Sequence, residues 1–301
     1  MEQIQVNAII KKGDPTRTLT IRNQFVLEMN RRFLWLKKRI IFAITTQDVF
    51  GLLPRTNPFI QQDLVPRQFQ FLNDPEKVAA FIIWLEEQIR LGIFELTTLN
   101  PQAVIGGDWW ADAYISKGYE RGLRSATSLL GGVVASTVVL PMFEDLIRFP
   151  IHIDRLGLLY TRTFEELRGV TSAMSQQIAR TLTDGMARGH SPALIARNLV
   201  NRVDAIGLTR SRVLARTEII RAHAEATLNN FESFGVYDVE LDVEFTTAGF
   251  GVCPVCQKIR DNKPIFTIAE ARGVIPVHPN CRCAWLPYDR EAKQILGESY
   301  D

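Results

Sequence analysis

All four cysteines of the chain, Cys253, Cys256, Cys281 and Cys283, fall in one stretch, GVCPVCQKIRDNKPIFTIAEARGVIPVHPNCRCAWLP, residues 251–287. The stretch also holds His278, one of only four histidines. CPVC is a C-x-x-C pair, and HPNCRC sets a histidine three residues before one thiol and five before another. Two thiols separated by two residues face one small cation from a tight turn. A second group further along the chain completes a tetrahedron, which is the arithmetic of a structural zinc site. Zinc takes four ligands there. The first choice is Cys253, Cys256, His278 and Cys283. Cys281 stands close behind, because C-x-C offers either sulfur but rarely both without strain.

Other chemistry fits the stretch less well. A redox C-x-x-C opens a helix after a strand in a βαβ unit, and that context is missing. A catalytic zinc needs an open position and a nearby acid or base. Glu244 and Asp261 are near in sequence, but neither H-E-x-x-H nor H-x-E…P-C-x-x-C occurs. Two disulfides would need no histidine. The opening MEQIQVNAIIKKGDPTRTLT has no secretory pattern, so reduced thiols are expected.

Composition sets bounds on the rest. The chain has 301 residues, 46% hydrophobic and 23% charged, with net charge +2. That length can bury a core without staples, and the charge balance does not by itself argue for nucleic acid. The apolar run SLLGGVVASTVVLPMF (128–143) is too short to span a bilayer and reads as a buried helix or core segment, so no membrane anchoring is expected.

Helices must position the thiol cluster. Apolar spacing predicts one over 16–44, whose basic residues Arg31, Arg32, Lys37, Lys38 and Arg39 form the densest positive cluster, a solvated face or a contact for DNA or an acidic partner. Prolines punctuate 51–75 as a loop. Asp74 and Pro75 open a helix, and Asp108 is the expected cap of another, with Trp109 and Trp110 in the core. From 151 onward the pattern is helix after helix, with breaks expected at Gly169, Gly189 and Gly207, a start at Ser191-Pro192, another at Thr209, and an end at Gly235. Then Val239, Leu241, Val243 and Phe245 alternate with Glu240, Asp242 and Glu244, a strand with a solvated acidic face. The fold class expected is α+β and predominantly helical. An all-helical region, 1–150, precedes a domain of helices and a small sheet, 151–301, with the Cys/His knuckle at 253–283.

Three motifs in order, Arg216-Thr217-Glu218 on a helix, Cys253-Pro254-x-Cys256, and His278-Pro279-Asn280-Cys281-Arg282-Cys283, resemble the C-terminal domain of phage head morphogenesis proteins, the Mu F-like minor head proteins. The resemblance covers 151–287. It implies a non-enzymatic virion component at the portal vertex and head interior, made in the host cytoplasm. The implied partners are the portal protein, a major capsid or scaffolding protein, and packaged double-stranded DNA, with roles in assembly and in DNA packaging or delivery. The N-terminal half would contact portal or capsid. Many members carry Asn where this chain has Ala224, so a polar site there is incomplete.

On the helix, Val213, Thr217, Ile220, Ala224, Leu228 and Phe231 form one stripe, flanked by Arg216 and Glu218. These two are expected to tie the helix to the knuckle rather than to sit in water. Two rival readings remain. One is a nucleotide-modifying enzyme of the ADP-ribosyltransferase kind, which lacks a Gly-rich phosphate loop here. The other is a zinc-knuckle DNA-binding protein, for which Lys258, Arg260, Lys263 and Arg272, mixed with acids, are a weak footprint.

Overall fold

A computed structural model describes residues 14–51, 74–95, 107–133, 143–235, 241–249 and 251–289. It is mostly helical, with a small antiparallel sheet of three strands near the C-terminus and the Cys/His cluster beside it. α1 spans Leu19–Thr45. α2 spans Asp74–Ile89 and runs on as a wider π turn, Arg90–Phe94. α3 is Asp112–Val133, α4 the single turn Phe143–Leu146, and α5 the long helix Pro150–Ala187, whose first residue is Pro150. α6, Pro192–Val203, passes through a π turn, Asp204–Leu208, into α7, Thr209–Gly235. The strands are β1 (Leu241–Thr246), β2 (Ile265–Thr267) and β3 (Ala284–Asp289), with short helices α8 (Pro254–Asn262) and α9 (Ile268–Ala271) between them. Among the described residues no helix is long and apolar enough to cross a membrane.

Two of the expected breaks are corrected. Gly169 lies inside α5, where a Cβ would meet nothing within 4 Å. An isolated glycine costs a helix only about 1 kcal/mol, less than the burial of Phe164, Leu167, Val170 and Met174 on either side of it returns. Gly207 lies inside the π turn rather than at a helix end. It is buried, and a Cβ there would stand 3.0 Å from the Phe33 ring, so glycine serves close packing. The α-helix does begin at Thr209 as expected, but it follows directly from the π turn rather than from a break. The other signals hold. Ser191 caps α6, accepting from the Leu194 N–H, and Pro192 takes the first helical position. Gly189 (φ +63°) ends α5: its N–H reaches the Met186 carbonyl and the His190 N–H reaches that of Gly185, a Schellman pair.

The chain divides into two compact units, one of Met1–Phe25, Gln102–Thr163 and Val213–Asp301, the other of Val26–Pro101 and Phe164–Arg212. In the first, Gly118 and Gly122 put α3 directly on α7. A Cβ at Gly122 would lie 2.4 Å from the His223 carbonyl, and one at Gly118 would lie 3.3 Å from the Ile219 carbonyl. The spacing of four, legible in GYERG, puts both glycines on one helix face. Trp109 is buried and Trp110 half-buried; Trp110 meets Phe25 edge-on while Tyr114 stacks on it. Asp108 is exposed, and the carboxylate that meets the backbone at this helix start is that of Asp112, in the first turn of α3, which accepts from the Trp109 N–H.

The sheet order is β2-β1-β3, both pairings antiparallel. Val243 and Phe245 are fully buried and join Ile220, Ala224, Leu228 and Phe231 of α7 in one core, closed by Trp285 and three of the thiols. The acidic face expected on β1 is corrected. As the central strand, β1 buries Asp242 and half-buries Glu244. Val239 and Glu240 lie outside the described residues.

In the second unit, Phe33, Leu36 and Ile40 of α1 are buried, and Phe94 packs on Phe164. The π turn holds Gly92 against the Trp35 ring, where a Cβ would clash at 2.0 Å.

Candidate metal centre

CPVC makes its own turn. Cys253 is extended (φ −73°, ψ 152°) and caps α8, with Pro254 preset for the first helical position. The Cys253 sulfur accepts from the Cys256 N–H at 3.3 Å. One helical turn thus puts Cys256 on the same side as Cys253, with a backbone donor aimed at the sulfur as a thiolate requires.

HPNCRC closes the other side. The Cys281 N–H returns to the His278 carbonyl at 3.1 Å, a tight turn in which Asn280 takes the left-handed conformation (φ +64°). Asn tolerates that region better than most residues with a side chain. His278 Nδ1 lies 2.8 Å from the Pro279 carbonyl. A carbonyl only accepts, so Nδ1 carries the proton and the neutral ring presents a lone pair at Nε2. Nε2 lies 3.0 Å from the Cys253 sulfur and 3.2 Å from that of Cys256.

Cys256, Cys281 and Cys283 form a second group, with 4.0 Å between the Cys256 and Cys281 sulfurs. The two groups share Cys256. All four thiols are free. Cys256, Cys281 and Cys283 are buried, while Cys253 and His278 are partly open to solvent. The five residues could together hold a metal ion such as zinc: the donors are sulfur and imidazole nitrogen, and the ligand atoms within each group lie within 4.8 Å of one another. Donation from Cys283 holds the Cys281 thiol down, to about 5, while burial pushes Cys256 up to about 12. Among the described residues, these candidate metal groups contain no carboxylate. Asp261 is exposed and pairs with Arg260.

The remaining motif residues divide. The Thr217 hydroxyl accepts from the Asn280 N–H at 3.4 Å, so α7 does touch the knuckle, through Thr217. Arg282 donates to the Gly251 carbonyl at 2.7 Å and holds the strand-to-CPVC turn. Pro279 is exposed. The tie expected from Arg216 and Glu218 is corrected. Arg216 is exposed, and Glu218 is buried between Arg162 (3.2 Å) and Arg221 (3.3 Å), joining α7 to α5. Ala224 lies in the apolar core.

A stronger tie went unread in the sequence. Arg272, just after α9, donates to Glu225 at 3.3 Å and Asn229 at 2.9 Å, and pairs with Glu232. Those three positions, spaced four and three apart, share one face of α7. Asn229 in turn donates to Tyr119 (2.9 Å), whose hydroxyl meets His152 Nδ1 (2.8 Å) inside the first unit. Paired acids and an Asn at that spacing were the available signal, hidden because Arg272 read as a surface charge.

The basic cluster of α1 is largely engaged within the second unit. Arg32 is buried and pairs with Glu28 at 2.8 Å and Glu95 at 2.9 Å. Lys37 pairs with Asp204, Arg31 with Glu28, and Arg39 with Gln88. Lys38 is exposed.

Comparison of the chain with family models, with curated proteins and with solved structures finds no match.

Proposed function

We propose that Cys253, Cys256, His278 and Cys281 hold one structural zinc ion, and that the chain is a minor structural protein of a tailed-phage head, acting at the portal vertex. Cys281 is taken as the fourth ligand on its sulfur lying 4.0 Å from that of Cys256, with Cys283 of the same group beside it. Cys283 completes the set from behind as a donor to Cys281. Zinc there would cross-link the start of α8 to the turn before β3 and so clamp the sheet. The chain's own residues orient the donors: the Pro279 carbonyl sets the His278 tautomer, and the Cys256 N–H faces the Cys253 sulfur.

One observation supports the head-protein reading most. The motifs on which the resemblance rests lie far apart in sequence but form one structural unit, joined where Asn280 meets Thr217. A non-enzymatic role is supported by Glu218, a carboxylate that a nucleotide-modifying site would need free but that is enclosed by two arginines. Partners on this reading are the portal protein, the capsid or scaffolding protein, and the packaged DNA.

Mass spectrometry of purified particles from the encoding genome, with zinc measured on the same material, tests both halves. Low-copy presence in DNA-filled heads with about one zinc per chain is the expected result. Absence from particles would sink the virion assignment, and presence without zinc would sink the metal.

A further inference from the structure

Helix α1 has two apolar faces. One is core, with Met29, Phe33, Leu36 and Ile40 each at most 1% exposed. The other is turned to solvent: Leu27 is 67% exposed, Leu34 49%, Ile41 43%, Trp35 37% and Phe42 43%. Single exposed apolar residues are ordinary, but a contiguous row is not. Leu27, Leu34 and Ile41 are seven apart, as are Trp35 and Phe42. A helix drifts only about 20° per heptad, so the five form two straight rows along about 24 Å of surface.

The strip is stiff. Its rear face is packed, and the Trp35 ring is wedged against Gly92 with the Arg39 guanidinium 5.9 Å from its centroid. Between the two rows lies a third, Arg31 and Lys38, both exposed and again seven apart. Glu28, at the edge of the strip, pairs with Arg31 and Arg32. Lys38 makes no ion pair among the described residues.

We propose that this strip is the docking surface for an amphipathic helix of another protein, one carrying a row of carboxylates flanked by apolar side chains. The charge pattern selects that occupant. A second copy of α1 brings Arg31 onto Arg31 in parallel and Arg31 onto Lys38 in antiparallel pairing, like charges in both cases. A bilayer fits poorly because the cations lie between the apolar rows, where insertion would carry them toward the acyl chains, rather than at the margins. An acidic helix answers both the rows and the cations. The proposal stands apart from the metal centre and from the virion reading.

The test titrates the full chain, at physiological salt, against a fluorescein-labelled helical peptide with one Glu per heptad between two Leu rows. The same peptide with Lys for Glu is the control, and anisotropy is the readout. The Glu peptide is expected to bind at least about tenfold more tightly than the Lys peptide. Lys38→Glu should narrow or reverse that preference. Leu34→Gln with Ile41→Gln should abolish binding while the circular dichroism spectrum stays unchanged. Equal binding of the two peptides, or binding of neither, overturns the proposal. So does a dimer of the free chain in light scattering that Leu34→Gln with Ile41→Gln dissolves, or flotation of the chain with phosphatidylglycerol vesicles.

Discussion

The backbone N–H of Asn280 donates to the Thr217 hydroxyl, joining the turn between His278 and Cys281 to the helix that carries Glu218. Asn280 reaches it from the left-handed region (φ +64°). Glycine should therefore be accepted at 280, while Asn280→Val should cost about 1–2 kcal/mol. Thr217→Ser should keep the contact that Thr217→Val loses. Chemical denaturation of the four variants checks the order. Equal loss in Asn280→Gly and Asn280→Val would show that the backbone conformation is not what matters.

Zinc content distinguishes the two C-terminal thiols. Cys281→Ser should lower bound zinc from about one per chain to near zero, whereas Cys283→Ser should retain most of it. Elemental analysis after gel filtration reads this directly. The reverse order would return Cys283 to the ligand set. Chelation should lower the Tm and expose Trp285, now buried beside the cluster.

Arg272→Ala leaves Glu225 and Asn229 with fewer partners in a buried setting. The expected loss is about 1–3 kcal/mol. A double-mutant cycle with Glu225→Gln should give a coupling energy above about 0.5 kcal/mol; additive effects would mean the clamp is only a surface contact.

Two buried groups oppose each other in pH dependence. Burial raises the Asp112 carboxyl to about 7 and lowers His223 to about 4. For Asp112 the folded state holds its proton more tightly than the unfolded chain. Its contribution is therefore complete below the ordinary carboxylate range and is lost as pH rises through 7. For His223 the unfolded chain holds the proton more tightly, so stability is complete above the ordinary imidazole range and is lost as pH falls toward 4. Between these limits the slopes cancel, each about 1.4 kcal/mol per pH unit at most. Asp112→Asn should unmask a positive slope of stability against pH relative to the parent. Urea titrations from pH 4.5 to 7.5 (roughly the window between the two groups) measure it; parallel profiles would show that Asp112 titrates normally.

Much of the site was legible because its signals are local. C-x-x-C and H-x-x-C each specify a turn, and turns survive without tertiary context. Ser191-Pro192 was legible for the same reason. What failed depended on neighbours. Gly169 and Gly207 read as stops, but a glycine's cost is small beside the packing of a long helix, and at Gly207 a Phe33 ring needs the space. Asp242 read as solvated because alternation alone cannot say that a strand will be central. Arg272 and Arg32 read as surface charges because their carboxylate partners are distant in sequence.

The sheet's geometry also bears on how fast it forms. β1 and β3 make the longer pairing, yet everything from Thr247 to Cys283 must loop out before they can meet. The two arms that hold the candidate ligands sit near the ends of that excursion. An ion captured early would replace one long closure by shorter ones, lowering the entropic barrier to the β1–β3 pairing. Metal supply during synthesis would then govern the rate at which this lobe matures as well as its final stability.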